Sequence, residues 1–319
     1  MKCMVTGATG FIGMQLCAAL KEKGHEIVAL QRGACRLDTV DKSFVCQLNA
    51  DTKNLPPMDG INIVFHLAAI VHEGASDEDY YSINRDGTML LARQAAKSGV
   101  QHFIFLSSVK AMGISQEAKL RTELDILEAV NDPYGNSKRQ AEIALESLAE
   151  STSMRITCIR STLIYGAGVK ANLRALVQAG VSGIPRPAKA GKRSMVALSD
   201  VVNALLLIAE PGGWDFRCFI VADNQSYDSQ QILDTVTVAL GRKVSSWFLP
   251  LVFFKVACFV KDFLEANSEA RSYGKLFDNA LFSSQALQQQ TGWRPRATLE
   301  SVMPEMLQGL SNYENKTDK

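Results

Sequence analysis

Short apolar runs rich in β-branched residues alternate with amphipathic stretches through the first half of the chain. That pattern belongs to an open parallel sheet covered by helices on both faces. The runs Cys3–Thr6, Glu26–Leu30, Phe44–Leu48, Ile61–Leu67, His102–Ser107 and Met154–Arg160 are each read as a strand. Apolar residues at helical spacing predict helices over Phe11–Lys23, Asp77–Ser98 and Tyr134–Glu150. Gly24 and Gly99 stand just past the first two of these, where a residue of positive φ commonly closes a helix. Beyond about Ser161 the rhythm changes. Gly and Pro cluster between Gly180 and Gly191, helices are expected at Asp200–Glu210 and Ser229–Leu240, and one more strand near Phe216–Ala222.

One stretch departs from this pattern. Trp247–Val260 (WFLPLVFFKVACFV) is apolar except for Pro250 and Lys255, yet falls short of the roughly 20 residues a spanning helix requires. The expectation is a buried or interdomain helix and no stable membrane insertion; peripheral contact with a membrane is the lesser reading. Lys plus Arg number 34 and Asp plus Glu 33, so no basic footprint for nucleic acid exists. The seven cysteines form no CxxC pair, and His25, His66, His72 and His102 have no metal-ligand spacing, so neither a disulfide framework nor a metal is expected. The strand-like start leaves no room for a signal peptide, which points to the reducing cytoplasm.

The first candidate chemistry is VTGATGFIG, Val5–Gly13, placed between the first strand and the first helix. Gly7 permits a tight turn, Gly10 lets backbone approach a pyrophosphate, and Gly13 lets helix pack on strand. The N–H groups at the helix start, around Phe11 and Ile12, then face the phosphates. An acidic residue about 20 positions on commonly holds the adenosine ribose. Here the second strand ends Leu30-Gln31-Arg32 with no carboxylate. Arg32 suits a 2′-phosphate as a bidentate fork, which places NADP(H) ahead of NAD(H).

The second candidate is Tyr134-Gly-Asn-Ser-Lys138, with tyrosine and lysine on one helical face behind a predicted Asp132 N-cap and Pro133. An ammonium close to a phenol lowers its pKa from about 10 and fits it for proton transfer at a substrate hydroxyl or ketone. The strand before this helix ends at Ser107-Ser108, the edge where such sheets bind ligands. Ser108 is the candidate to align the reacting oxygen, and Ser107 the one to satisfy backbone.

With TGATGFIG, HLAA (His66–Ala69), SSVKAMG (Ser107–Gly113), YGNSK, IRSTLIYG (Ile159–Gly166), RSMVALSDV (Arg193–Val201) and TGWRP (Thr291–Pro295) in place, the chain resembles the extended short-chain dehydrogenases. Within them it is similar to the UDP-glucose 4-epimerase-like branch of the NAD-dependent epimerase/dehydratase family. The resemblance implies an α/β fold, a Rossmann-type doubly wound parallel sheet with a smaller C-terminal substrate-binding region. Residues 1–165 would mainly bind the dinucleotide and 166–313 mainly the substrate, with some elements interleaved, and 314–319 would be a frayed tail. It further implies that Asp51 contacts adenine, that Leu67, Ala68 and Ala69 line the cofactor groove, and that Asn84 supports the ribose or a catalytic water. Tyr134 and Lys138 would also meet the nicotinamide ribose. Asn172 and Leu173 would meet a substrate diphosphate and Arg193 would clamp it; Lys275 and Phe277 would border the nucleotide. A homodimer is expected.

The sequence departs from the family pattern at Ser161-Thr162, where prolines often stand, and at Lys110, where a small hydroxyl residue is usual. SSVKAMG looks like the sub-branch acting on 4-keto or N-acetylated hexose nucleotides, so Lys110 is a candidate substrate contact. The expected function is oxidoreduction at C4 of a nucleotide sugar. A 4-keto-sugar reductase is placed slightly ahead of a 4-epimerase that retains its NAD. A steroid or lipid-alcohol dehydrogenase and a non-catalytic dinucleotide sensor stand behind both.

Overall fold

A computed structural model describes residues 1–71, 75–113, 119–125, 127–169, 171–187, 191–250, 252–253, 256 and 279–317. His72, Lys275, Phe277 and part of the 247–260 segment, all named above, lie outside these. In chain order the strands are β1 (Lys2–Thr6), β2 (Glu26–Gln31), β3 (Lys42–Val45), β4 (Ile63–His66), β5 (His102–Ser108), β6 (Leu120–Arg121), β7 (Arg155–Ser161), β8 (Leu163–Tyr165), β9 (Arg193–Ala197), β10 (Phe216–Val221), β11 (Ser226–Tyr227) and β12 (Leu281–Phe282). The α-helices are α1 (Phe11–Glu22), α2 (Asp77–Tyr80), α3 (Thr88–Lys97), α4 (Pro133–Glu150), α5 (Ala171–Val181), α6 (Leu198–Ala209), α7 (Ser229–Ala239), α8 (Gln285–Thr291) and α9 (Leu299–Thr317).

Seven strands form one parallel sheet in the order β10-β7-β5-β4-β1-β2-β3. The order in which strands are added reverses between β1 and β4, the switch point where doubly wound sheets open a crevice at their carboxyl edge. Alternation along each strand feeds two cores. Val5, Ile27, Phe65, Ile104 and Phe219 face α1 and α6, whereas Met4, Val28, Val64, Phe103 and Ile156 face α3 and α4. A third core joins α5, α7 and α9 through Val177, Val236 and Met303, with β8 and β9 beneath it.

Strand β10 and helix α6, from the second half of the chain, complete the sheet and its cover. Three features differ from the sequence-based expectation. The helix foreseen at Asp77–Ser98 is widened in its middle into a π-helix, Tyr81–Gly87, that turns Asn84 inward. Helix α9 runs on to Thr317, past the start of the foreseen frayed tail at Glu314. The apolar segment is not a buried helix at its described positions: Trp247, Phe248, Val252, Phe253 and Val256 are all exposed. Apolar composition announced burial there, but the neighbouring cores are already filled from α5, α7 and α9. No helix among the described residues is long and apolar enough to cross a membrane.

Two histidines are sealed in the sheet as neutral rings. Arg155 donates to His102 Nδ1 at 2.7 Å, so the His102 proton sits on Nε2, 2.9 Å from Thr157 Oγ1. Burial, with Arg155 adding to it, lowers His102 to about 2; burial, with Lys138 adding to it, lowers His66 to about 3. Unfolded imidazoles take up protons below a pH of about 6.5 while these two do not. Each histidine therefore gives its full stabilisation above that pH and loses it as the pH falls, by about 2 kcal/mol on going to pH 5. Denaturant unfolding at both pH values should show the loss, and His102→Gln should remove a clear part of it; a variant with the parent's pH slope would contradict the assignment.

Candidate active site

The glycine turn is held by contact with the residues that follow β4. Gly7 has φ of 69°, and a Cβ there would stand 3.0 Å from the Ala68 backbone nitrogen. On Gly13 a Cβ would collide with the Gly7 carbonyl, so this residue must be bare for α1 to close on β1. Helix α1 starts at Phe11 with no side-chain cap, which leaves its first N–H groups directed at a ligand. The side chains of Phe11 and Ile12 pack away into the third and first cores.

A chain of buried hydrogen bonds joins this turn to the catalytic helix. Thr88 Oγ1 donates to the Asn84 carbonyl at 2.7 Å, so it must accept from His66 Nε2–H at 2.8 Å. His66 Nδ1 then accepts from Thr6 Oγ1 at 2.7 Å, and Thr6 Oγ1 accepts the Ala68 N–H at 3.0 Å. Asn84 continues the run. Its amide spans the Ile70 backbone at 2.9 and 3.0 Å and donates to Ser137 Oγ at 3.2 Å. Ser137 in turn donates to the Tyr134 carbonyl at 2.8 Å. All of Asn84's drawn hydrogen bonds serve structure: it fixes the groove wall at Ile70 against α4.

At the carboxyl edge, Ser108 and Tyr134 meet through their hydroxyls. Asp132 caps α4 by accepting from Gly135 N–H at 3.2 Å, with Pro133 at the first helical position, as the sequence indicates. Tyr80 lies edge-on to Tyr134 at 6.1 Å between ring centroids. Lys110 Nζ stands 5.4 Å from the Tyr134 ring centroid and pairs with Asp132 at 3.1 Å, so this departure from the family pattern lies beside the candidate catalytic tyrosine. Lys138 is buried one turn on, where Nζ donates to the Leu106 carbonyl at 2.8 Å and lies 4.4 Å from the Phe105 ring centroid.

The electrostatics correct one expectation. The sequence suggests that Lys138 acidifies Tyr134. Among the chain's own groups burial dominates instead and pushes Tyr134 up to about 12, with Asp132 and Tyr80 also raising it and Ser108 opposing. Burial likewise pulls Lys138 down to about 7 against the attraction of Glu142 and Cys158. A buried lysine bonded to a carbonyl oxygen cannot act as a strong surface-type ammonium toward the phenol.

Beneath the trio lies a buried ion pair that single-residue reading missed. Arg160 Nη2 is 2.8 Å from Glu142, and Ser107 Oγ donates to the same carboxylate at 2.5 Å. Glu142 is one helical turn beyond Lys138, a spacing that could have exposed it. Ser107 thus serves structure and Ser108 faces the site.

Around the adenosine end, Arg32 and Asp51 are exposed beyond the carboxyl ends of β2 and β3. Leu67, Ala68 and Ala69 are half-buried after β4, in the place a groove wall requires. Gln31 was overlooked. It is buried at the last position of β2; its Nε2 donates to the Cys35 carbonyl at 3.0 Å, and its Oε1 is buried without a partner. An orphaned acceptor here suits a ribose hydroxyl, so the residues present fit a dinucleotide. In the second half, Asn172 is exposed in the first turn of α5, and Arg193 is half-buried at the start of β9. Leu173 points into the third core, which leaves only its backbone to meet a diphosphate. TGWRP serves structure: Trp293 is fully buried and donates to the Asp200 carbonyl at 3.0 Å.

The family model of the NAD dependent epimerase/dehydratase family matches residues 3–214. A UDP-glucose 4-epimerase of Vibrio cholerae is 30% identical over 98% of this chain and 96% of its own. A 3-beta-hydroxysteroid dehydrogenase of Mycolicibacterium neoaurum is 25% identical over 96% of this chain and 90% of its own. Among solved structures, MoeE5 in complex with UDP-glucuronic acid and NAD superposes with a TM-score of 0.78 at 20% identity, covering 98% of this chain and all of the other.

Substituting Gly7→Ala should weaken dinucleotide binding at least tenfold, since the new Cβ strains a positive φ and presses on the Ala68 nitrogen. Fluorescence titration measures this, and affinity within twofold of the parent would show that the turn does not hold phosphate.

Proposed function

The chain belongs to the NAD dependent epimerase/dehydratase family, and within it we propose a reductase that acts on the 4-keto group of a nucleotide sugar with NADPH. The observation that carries this reading is the end of β2. Family members of this fold commonly place a carboxylate there for the ribose hydroxyls, and a carboxylate repels a 2′-phosphate. Gln31 is neutral, offers one buried acceptor, and is followed by the exposed Arg32. Guanidinium and phosphate match as a bidentate pair.

Tyr134 is the proton donor in this reading: burial raises its phenol to about 12, so it carries its proton before a cofactor binds. The nicotinamide, when bound, supplies or removes hydride at the carbon bearing the reacting oxygen. Ser108 holds that oxygen and Tyr134 gives it a proton. Lys138 stiffens the edge of β5 through Leu106 and would meet the nicotinamide ribose. Backbone at Asn172 and Leu173, with Arg193, would take the diphosphate. Lys110, anchored by Asp132 above the Tyr134 ring, would meet the sugar.

The alternative is a 4-epimerase that retains its cofactor, favoured by the Vibrio cholerae relative's full-length match. Candidate UDP-4-keto-sugars and UDP-hexoses, supplied with NADPH or NADH, separate the two. Stoichiometric loss of NADPH absorbance supports the reductase; product without net cofactor change would identify the epimerase.

Two variants test the parts. Tyr134→Phe should abolish turnover and leave dinucleotide binding within about twofold. In the parent, the reverse oxidation should rise with pH as phenolate becomes available, and an oxidation rate that does not rise above about pH 9 would remove Tyr134 as the proton-transfer group. Gln31→Asp should raise the Michaelis constant for NADPH at least tenfold and lower that for NADH, and equal effects on both would defeat the cofactor assignment.

A further inference from the structure

The exposed apolar stretch after α7 is built into the molecule. Arg242 Nη1 donates to the Val181 carbonyl at 2.8 Å, which ties the start of the stretch to the end of α5. Leu249 N–H donates to the Arg186 carbonyl at 2.9 Å, and Pro187 and Leu249 are bridged as neighbouring strands. The Arg186 guanidinium covers the Phe248 ring at 4.5 Å and pairs with Asp234 at 2.5 Å. Held on this frame, Trp247 is 71% exposed and Phe253 57%, with Val252, Val256 and Ile184 exposed beside them in the chain. Large aromatic side chains kept in water by a fixed backbone mark an interaction surface.

Charge selects the partner. Between Asp234 and Asp262 the sequence has four basic residues, Arg242, Lys243, Lys255 and Lys261, and no acidic one. The chain as a whole is balanced at 34 basic and 33 acidic residues, so the bias is local. A symmetric dimer through this face would set two copies of the same basic, acid-free run against each other. An anionic bilayer complements both parts: Trp and Phe settle at the headgroup boundary, and basic side chains meet lipid phosphates.

We infer that the described residues Arg242–Phe248, Val252, Phe253 and Val256, backed by Ile184, form a docking surface for a bilayer rich in anionic lipid, and that the enzyme works at that surface. The segment lies on the frame of α5, whose first turn carries Asn172. Docking therefore places the second-half side of the molecule toward the lipid headgroups.

Flotation of the full chain with phosphatidylglycerol-containing vesicles, against pure phosphatidylcholine vesicles, tests the inference. The parent should float with the first at least tenfold more strongly than with the second. Trp247→Ser with Phe253→Ser should reduce that binding at least tenfold, with circular dichroism, dinucleotide affinity and turnover in solution unchanged. Arg242→Ala with Lys243→Ala should weaken it by roughly fivefold per charge and flatten its salt dependence. Tryptophan emission should shift to the blue on adding the anionic vesicles and should not shift in Trp247→Ser. No flotation, equal binding to both lipids, or a dimer dissolved by the Trp247 and Phe253 substitutions without vesicle binding would each overturn the assignment, the last by making the face a contact between copies.

Discussion

A neutral imidazole clamped between two threonines sets the spacing of the whole site. His66 can satisfy Thr6 and Thr88 together only as the Nε2–H tautomer, because Thr88 spends its own proton on the Asn84 carbonyl. The glycine turn is thereby fixed to β4, β4 to the π-helix, and the π-helix through Asn84 and Ser137 to the helix that carries Tyr134. Protonating the ring would break the Thr6 bond and bury a charge facing Lys138, which is why it stays neutral far below its usual range. The glycine turn and the helix of Tyr134 keep their register through this one buried ring.

The balance between burial and charge gives the site its chemical direction. Tyr134 and Lys138 are both taken out of water, and both shift toward their neutral forms. Neutral forms suit a proton donor and a rigid hydrogen-bonding strut. The sequence displays the spacing of the two residues but not their solvation, so an acidified phenol was the natural reading of the pair and the wrong one for the chain's own charges. Solvation is a property of what covers a residue, and cover comes from distant parts of the chain.

Much of the rest could be read in advance. Strands β1, β2, β4, β5 and β7, the glycine turn, the capped start of α4 and the juxtaposition of Ser108 with Tyr134 follow from local pattern and from one sheet rule. What escaped depends on non-local contact. Gln31 gains meaning only because its amide nitrogen is occupied by Cys35 and its oxygen is sealed. Leu173 looks like a ligand contact by alignment of motifs, yet faces Val177 and Tyr227 in a core that the periodicity of α5 alone does not locate. The apolar run after α7 failed for the same reason in reverse: hydrophobicity announces a wish for burial and says nothing of whether room is left.

The placement of β10 bears on how the chain can be divided. Residues 216–221 run along β7 from Ile156 to Ser161, the strand that also carries Arg160 and the buried Cys158. A fragment ending near residue 165 would leave that row of amides and carbonyls open on a flat, apolar margin, the kind of edge that recruits other strands. Sequence order and sheet order are thus decoupled: the first 165 residues wait for their last strand until about a third of the second half has left the ribosome, and until then the β7 edge stays open to mispairing.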